Sequence, residues 1–309
     1  MTSSAPITPN SPANTQQLSL RQRLVYFAIW AGVVLLIFFK PVLNLVGTSL
    51  HNDNVSHTPL IPFISVYLIY IRRQFIFRRI SSAPPLCAAL TTAGLLFAAW
   101  AFFKLSFTSY ADALSGYALA IGFLWAAGFA LFFGLDSFRS ATFPMAFLLL
   151  MVPLPDFFLD RVIYYLQSGS AAVAEGVFDL FRVPALRDGF VFHLAHVNIE
   201  VAKECSGIRS SLALLILALL VSNLFLRTFW KQGVFVVAGM VIMMIKNGVR
   251  IATLTILAQY VDPGFLYGRL HHEGGVVFFL FGLLLMLPLF MILERSEKSR
   301  PITTSSPAT

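Results

Sequence analysis

Long apolar runs separated by short polar segments dominate the chain. Runs that could cross, or nearly cross, a hydrocarbon core of about 30 Å begin at eight positions: Leu24, Thr58, Leu86, Ala113, Ala141, Ile208, Gly233 and Gly275. The second and fifth of these runs are interrupted or short. The pattern predicts an all-α polytopic membrane protein with about eight transmembrane helices.

The segment between the fifth and sixth runs has a different character. Residues 161–182 mix polar and apolar side chains, which favours an amphipathic helix at the outer membrane interface over a further span. Residues 189–194 and 197–201 alternate between apolar and polar positions. This alternation predicts a short β-hairpin that covers the outer mouth of the bundle just before Cys205.

Composition supports the membrane class. The chain has 309 residues, of which 58% are hydrophobic and 12% are charged, whereas soluble proteins carry about 25% charged residues. The net charge is +8, but the basic residues fall in short clusters between apolar runs. Such clusters are typical of membrane orientation signals, so no nucleic-acid partner is expected.

The basic clusters also predict an orientation. With a cytoplasmic N-terminus, 12 of the 22 Lys and Arg residues fall in inner segments, and the outer segments 48–57 and 106–112 contain none. The positive-inside rule therefore places both termini in the cytoplasm. We expect a disordered N-terminus over residues 1–23, a transmembrane domain over 24–293 and a disordered tail over 294–309. The first run lacks a cleavage site and is interpreted as a retained span.

Cys205 is the first chemically capable residue. It comes directly before the sixth run, where the positive end of a helix dipole favours thiolate over thiol. The other cysteine, Cys87, is expected near the inner end of the third run. A disulfide needs Cα atoms within about 7 Å of each other. A bond between Cys87 and Cys205 is excluded, because the two residues are expected near opposite faces of the membrane. Most membrane cysteines only fill space, but Cys205 has two potential catalytic partners.

Those partners are Arg250 and the pair His271–His272. Arg250 lies 17 residues after Gly233, about 25 Å along a helix that runs outward. The histidines lie in the outer loop before the last run. A cation in the hydrocarbon layer either has a function or extends to the headgroups, and both interpretations are open for Arg250. For Lys246, one turn below Arg250, the structural interpretation is favoured. These segments share one depth, although sequence does not give their lateral proximity. The chain lacks a His-Glu-x-x-His motif, and no metal is expected.

Three motifs occur in a recognisable order. They are Glu-Cys-Ser-Gly-Ile-Arg at 204–209, Asn-Gly-Val-Arg at 247–250 and His-Glu-Gly-Gly at 272–275, preceded by Pro-Leu-Pro at 153–155 and Leu-Gln at 166–167. Residues 143–279 thereby resemble the exosortase/archaeosortase family of multi-pass membrane cysteine transpeptidases. The histidine in the third motif resembles the pattern of the bacterial exosortase branch of this family.

The resemblance implies an enzyme in the cell inner membrane, with its active site on the outer face and no cofactor. Its catalytic residues would be Cys205, Arg250 and His272, with His271 as the alternative to His272. The implied partners are membrane lipid and exported proteins that end in a Pro-Glu-Pro-like motif, a transmembrane helix and a basic tail. Cleavage near that motif would proceed through a thioester on Cys205.

Three further residues are candidates for substrate binding: Arg209, Lys246 and Asn247. Arg209 could pair with the glutamate of a Pro-Glu-Pro motif. Pairing with Glu204 or with a lipid phosphate is an equally good interpretation of Arg209.

Two other functions fit part of the pattern. An eight-span permease could bind an anion through Lys246 and Arg250, but the third and fourth runs carry no ionisable residue near their middle. A membrane acyltransferase could use His272 as its base, with Cys205 incidental. Replacing Cys205 separates the transpeptidase from both.

Overall fold

Helices make up most of the chain. The computed structural model describes residues 18–107, 110–195, 197–201, 208–266 and 275–298. The helices are α1 Leu20–Ile37, α2 Phe39–His51, α3 Leu60–Ile71, α4 Arg73–Ile76, α5 Pro84–Phe107, α6 Tyr110–Ser140, α7 Thr142–Phe147, α8 Asp156–Leu180, α9 Ile208–Phe225, α10 Phe229–Tyr260 and α11 Gly275–Lys298. Short 3-10 turns cover Asp53–Val55, Leu148–Met151 and Pro263–Leu266. The prediction of an all-α polytopic membrane protein is confirmed.

The helices coincide with the eight predicted runs. Among the described residues, five helices are long and apolar enough to cross a membrane, namely α1, α5, α6, α10 and α11. A sixth span results if Thr142–Met151 and α8 form one broken span, and two shorter apolar helices cover Leu60–Ile71 and Ser210–Phe225. Because α3 is only about 18 Å long, the count of eight crossings stays a prediction.

The amphipathic helix predicted over 161–182 is α8, and it begins five residues earlier, at Asp156. Thr142–Met151 and α8 meet at an angle of 92°. Pro153 and Pro155 lie at this bend, where proline prevents helix continuation. One stripe of α8 is buried, formed by Ile163, Gln167, Ser170, Ala171, Ala174 and Phe178. Tyr164 and Tyr165 are exposed on another side of the helix.

The predicted β-hairpin is also confirmed, as β2 Val191–His193 paired antiparallel with β3 Asn198–Glu200. A further strand that the pattern did not predict, β1 Leu186–Asp188, pairs with the other edge of β2. The inward residue of β1 is Arg187, whose guanidinium lies 2.7 Å from the Glu175 carboxylate. A charged residue at the inward position hid this strand from an apolar/polar alternation.

Two interruptions divide apolar runs that the sequence suggests are continuous. Helix α1 ends at Ile37, because the ring of Pro41 clashes with the carbonyl four residues before it. Helix α6 is kinked at Gly134, whose φ of 85° lies in the left-handed region that glycine tolerates. The Phe132 carbonyl near this kink accepts a 2.6 Å hydrogen bond from Arg23.

The terminal helices extend beyond their apolar runs. Helix α1 begins at Leu20 because Ser19 and Gln22 form a capping box. Helix α11 continues to Lys298, and the Glu297 carboxylate near its end accepts the backbone N–H groups of Arg227 and Thr228. Residues 20–23 and 294–298 are therefore helical, whereas the expected domain limits assigned them to disordered ends.

Candidate active site

Only part of the expected site lies within the described residues. Arg250, Lys246 and Asn247 are on α10, and the structure describes their surroundings. Cys205, His271 and His272 lie outside the described residues, as does the side chain of Arg209. The structure therefore gives the scaffold to which the expected catalytic groups are attached.

Contacts among α9, α10 and α11 fix the direction of each helix. In one layer Lys246 contacts Ser210 of α9, and a Cβ added at Gly282 of α11 would lie 3.5 Å from the Lys246 side chain. In a second layer a Cβ added at Gly239 of α10 would lie 3.5 Å from Ala218 and 3.3 Å from Met286.

The order of these contacts is opposite on neighbouring helices. From the first layer to the second, residue numbers fall on α10 and rise on both α9 and α11. Helices α9 and α11 therefore run antiparallel to α10. Both begin at the end of the bundle toward which Arg250 lies, one turn beyond Lys246. The segments that carry Cys205 and the two histidines enter the bundle at that same end.

Lys246 is enclosed by the three helices. The residue is only 2% exposed, and its Nζ donates a hydrogen bond to Ser210 Oγ. Its aliphatic stem passes Gly282, and an added Cβ there would also lie 3.5 Å from Leu214 Cδ2. The Lys246–Ser210 bond thus connects the middle of α10 to the first turns of α9.

Asn247 connects α10 to α8. It is 2% exposed, and Ser170, its partner on α8, is 1% exposed. The Asn247 Nδ2 donates a hydrogen bond of 3.0 Å to Ser170 Oγ. Because a polar group buried without a partner is costly, this bond fixes the register of the two helices.

Gly248 allows α8 and α10 to approach closely. A Cβ added at this position would lie 2.5 Å from Val173 Cβ and 2.7 Å from the Ser170 carbonyl oxygen. The second of these atoms is backbone, so a side chain at Gly248 would have to push the helices apart.

We expect Gly248→Ala to lower the free energy of unfolding by about 1–3 kcal/mol through overpacking. The matched control is Gly233→Ala on the same helix, where an added Cβ meets nothing within 4 Å. The control should be neutral or slightly stabilising, since alanine favours helix more than glycine does. Thermal unfolding in detergent measures both variants. Equal midpoints would contradict the close contact at Gly248.

Arg250 projects between the partners of its two neighbours. With about 100° per residue, its direction lies about 40° from that of Lys246 and about 60° from that of Asn247. Lys246 faces α9 and α11, whereas Asn247 faces α8. Half-buried Arg250 therefore points into the sector between α8 and α9.

The segment that carries Cys205 is attached at both ends to residues that the structure describes. Its N-terminal side is held at Val201, whose carbonyl accepts a 2.8 Å hydrogen bond from buried Gln167 of α8. Its C-terminal side is held at Ser210 by Lys246. Covalent reach keeps the Cα of Cys205 within about 14 Å of Val201 and about 18 Å of Ser210.

The small sheet covers α8 and α10 beside this sector. Phe192 of β2 packs edge-on against Phe178 of α8, with 5.2 Å between the ring centroids. Both rings belong to a buried cluster that includes Ile251 and Ala252, the two residues after Arg250. The cluster buries these two residues beside Arg250, and the lower dielectric of such a buried region strengthens interactions of the Arg250 charge.

Three polar residues of this scaffold were not among the expected site residues: Gln167, Ser170 and Ser210. Each has other polar residues near it in the sequence, such as Ser168 next to Gln167 and Ser211 next to Ser210, so residue type does not single it out. The sequence presents Gln167 as part of the Leu-Gln pair and of the amphipathic helix, and nothing in it indicates the partner of Gln167, Val201. Within the described residues, no group of three His, Cys, Asp or Glu side chains could hold a metal ion.

The structure thus defines a helical membrane protein with a polar cluster buried where α8, α9, α10 and α11 meet. A family model described as transmembrane exosortase matches residues 47–288, which is 242 of the 309 residues. No curated protein and no solved structure matches the chain. The protein belongs to the transmembrane exosortase family, and this membership indicates a membrane peptidase or transpeptidase.

Proposed function

We propose that this exosortase is a cysteine transpeptidase that cleaves the C-terminal sorting signal of exported proteins. Both termini would lie in the cytoplasm and the reaction would occur on the outer face of the inner membrane. The observation that carries the proposal is the antiparallel arrangement of α9 and α11 against α10. It supports a site in which Cys205 and His272, which precede α9 and α11 in the chain, act together with Arg250.

In the first half of the reaction the Cys205 thiolate attacks the scissile carbonyl carbon. The carbonyl oxygen becomes an oxyanion, to which the always protonated Arg250 donates two hydrogen bonds. The C–N bond then breaks, and His272 gives its proton to the leaving amine. The exported protein remains attached to Cys205 as a thioester, while the helix and basic tail are released.

In the second half an incoming nucleophile attacks the thioester carbonyl. An amine acceptor gives transpeptidation and water gives hydrolysis. His272 takes the proton of the nucleophile, Arg250 again stabilises the oxyanion, and the C–S bond breaks. The Cys205 thiolate is restored, so the two halves form a closed cycle.

The proposed substrates end in a Pro-Glu-Pro-like motif, a transmembrane helix and a basic cluster. Arg209 would pair with the glutamate of the motif through a charge-assisted hydrogen bond. Lys246 and Asn247 are each 2% exposed and bonded to serines of the protein. We therefore assign these two residues to holding the helices rather than to contact with the substrate.

The function is tested by co-expressing the protein with an exported reporter that carries a Pro-Glu-Pro motif, a helix and an arginine tail. Mass spectrometry of the reporter then identifies its C-terminus. Loss of the tail only in cells that contain the active protein supports the proposal and identifies the cleaved bond. An intact tail in those cells would exclude this tail class as the substrate.

The two adjacent histidines can be separated in the same assay. We expect His272→Ala to lower kcat by about 10²–10⁴-fold, the usual contribution of a general acid–base. His271→Ala serves as the matched control and should change kcat by less than about threefold if its imidazole transfers no proton. The reverse result would assign the role to His271. Full activity in both variants would remove histidine from the mechanism.

A further inference from the structure

A cavity of about 290 Å³ opens at the side of the bundle between α9, α10 and α11. All of its lining side chains are apolar, and they include Leu217 and Val221 of α9, Phe235 of α10 and Leu287 of α11. Leu287 is 52% exposed, so the cavity is open at this rim. A cavity of about 150 Å³ can hold a benzene molecule. The larger space here therefore has room for one or two bulky apolar side chains.

The cavity is closed at both ends along α9. At one end a Cβ added at Gly282 of α11 would lie 3.5 Å from Leu214 Cδ2. At the other end the rings of Phe225 and Phe290 pack edge-on, with 5.7 Å between their centroids. A lipid chain that descends along the helices from the headgroups meets one of these closures. A side chain that projects from a neighbouring helix can enter from the open side.

One strip of α9 is open to such a neighbouring helix. Within residues 210–225 the exposed side chains are Ala213, Leu224 and Phe225. With about 100° per residue, Ala213 and Leu224 lie within about 40° of Leu217, which lines the cavity. A helix that approaches α9 from the membrane therefore meets this strip and the cavity together.

The sorting signal of the proposed function contains a helix with the matching direction. In that signal the transmembrane helix follows the motif, and the basic tail follows the helix. The reaction is proposed at the end of the bundle toward which Arg250 lies, where α9 and α11 begin. The helix of the signal would thus start at this end and run in the same direction as α9 and α11.

The charge near the other end of α11 suits the basic tail. Glu294 comes four residues after Phe290, and its direction along α11 lies about 40° from that of Phe290 and about 20° from that of Leu287. Arg295 points about 100° away from Glu294. Glu294 also has an interaction within the protein, but a carboxylate can accept several hydrogen bonds. A basic segment that leaves the cavity side of α11 would therefore pass a carboxylate.

We propose that the cavity between α9 and α11 receives the transmembrane helix of the sorting signal. Bulky apolar side chains of that helix enter the cavity, and the basic tail lies beside Glu294. Because the occupant is the substrate of the proposed function, this inference rests on that function. The cavity would bind the part of the substrate that is released after cleavage.

Photo-crosslinking tests the contact directly. Benzoylphenylalanine in place of Leu287, in a Cys205→Ala background that leaves the reporter uncut, should crosslink to the helix of the reporter. Benzoylphenylalanine in place of Leu95 is the control, because Leu95 is 57% exposed on α5, and it should crosslink to lipid. Mass spectrometry identifies the products. Crosslinks only to lipid, or only to a second copy of the protein, at Leu287 would overturn the inference.

Filling the cavity gives a kinetic test with the purified protein and reporter in proteoliposomes. Val221→Trp should raise KM for the reporter by about 3–10-fold, because helices in a bilayer associate through close packing that the added ring prevents. The value of kcat should change by less than about threefold, since the proposed catalytic groups are unaltered. Leu95→Trp adds the same ring on α5 and should leave both constants unchanged.

An unchanged KM in folded Val221→Trp would overturn the inference. Thermal unfolding shows whether this variant is folded, and Leu217→Phe, a smaller change at the rim, provides the same test if it is not. An equal rise of KM in Leu95→Trp would also overturn the inference, because the effect would then not depend on the cavity.

The basic tail is tested at Glu294. Glu294→Gln should raise KM by about two- to fivefold for a reporter with an arginine tail, a typical effect of losing a surface ion pair. It should leave KM unchanged for a reporter whose tail arginines are replaced by glutamine. Asp136→Asn is the matched control, because Asp136 is an exposed carboxylate near the end of α6. The same KM for both tails in Glu294→Gln and in the wild type would overturn the placement of the tail.

Failure of this inference differs from failure of the proposed function. If only the inference is wrong, the wild-type protein still removes the tail, while Val221→Trp keeps the wild-type KM and no crosslink to the reporter forms at Leu287. If the proposed function is wrong, the reporter stays intact with the wild-type protein or is cleaved by Cys205→Ala.

Discussion

Replacing Cys205 with alanine is expected to abolish release of the C-terminal tail, lowering the rate by at least about 10³-fold. The loss should be this large because no other group in the proposed mechanism can form the thioester. Cys205→Ser should be almost as inactive, since a hydroxyl in the same position is far less ionised than a thiol. The measurement is the mass of the co-expressed reporter.

Cys87→Ala is the matched control for this experiment. Cys87 lies on α5, where its Sγ is 3.9 Å from Thr91 Oγ1 of the same helix. We expect its replacement to leave processing unchanged. Trapping of the thioester adds a second readout. Hydroxylamine should attack the thioester of the wild-type enzyme and release the reporter with a C-terminal hydroxamate. Cleavage by Cys205→Ala would exclude the cysteine mechanism.

The second large effect is expected at Arg250. Arg250→Gln should lower kcat by about 10²–10³-fold, the usual result of removing an oxyanion donor from a site of low dielectric. Arg250→Lys retains a charge but loses the planar pair of donors, and it should recover only part of the activity. KM should change little in both variants, because the lost interaction forms in the transition state.

Arg72→Gln is the corresponding control. Arg72 also has a part-buried guanidinium beside α9, and it donates a 2.8 Å hydrogen bond to the Asn223 carbonyl near the far end of that helix. Its replacement should lower stability without changing kcat. If Arg250→Gln raised KM and kept kcat, Arg250 would instead bind the substrate before reaction, as the permease interpretation expects of an anion site.

Several elements could be predicted because their signal is local. Hydrophobic runs gave the positions of the long helices, and alternation gave β2 and β3. Strand β1 was missed because its inward residue is Arg187, whose charge is offset by an ion pair with Glu175 of α8. The breaks at Ile37 and Gly134 lie within apolar runs, where hydropathy does not respond to backbone geometry.

The candidate site likewise has a part that could be predicted from the sequence and a part that could not. The types and order of Cys205, Arg250 and His272 were available from their motifs, as was their common depth under the positive-inside rule. The partners of Lys246 and Asn247 were not, although a structural role was favoured for Lys246. Their serine partners, Ser210 and Ser170, lie 36 and 77 residues away along the chain. A hydrogen bond over such a separation leaves no periodic signal.

The sequence by itself thus determined the membrane class and the helical framework, and it supplied the candidate residues for the proposed chemistry. The class and the framework follow from side-chain type and local spacing, because a bilayer requires a spanning segment to be apolar and to satisfy its own backbone hydrogen bonds. Only the tertiary structure decided that α8, α9, α10 and α11 meet around Lys246 and Asn247. Lateral order among helices depends on close packing, such as that at Gly248 and Gly282, and on buried polar pairs. Those are properties of two surfaces together, so neither helix encodes them alone.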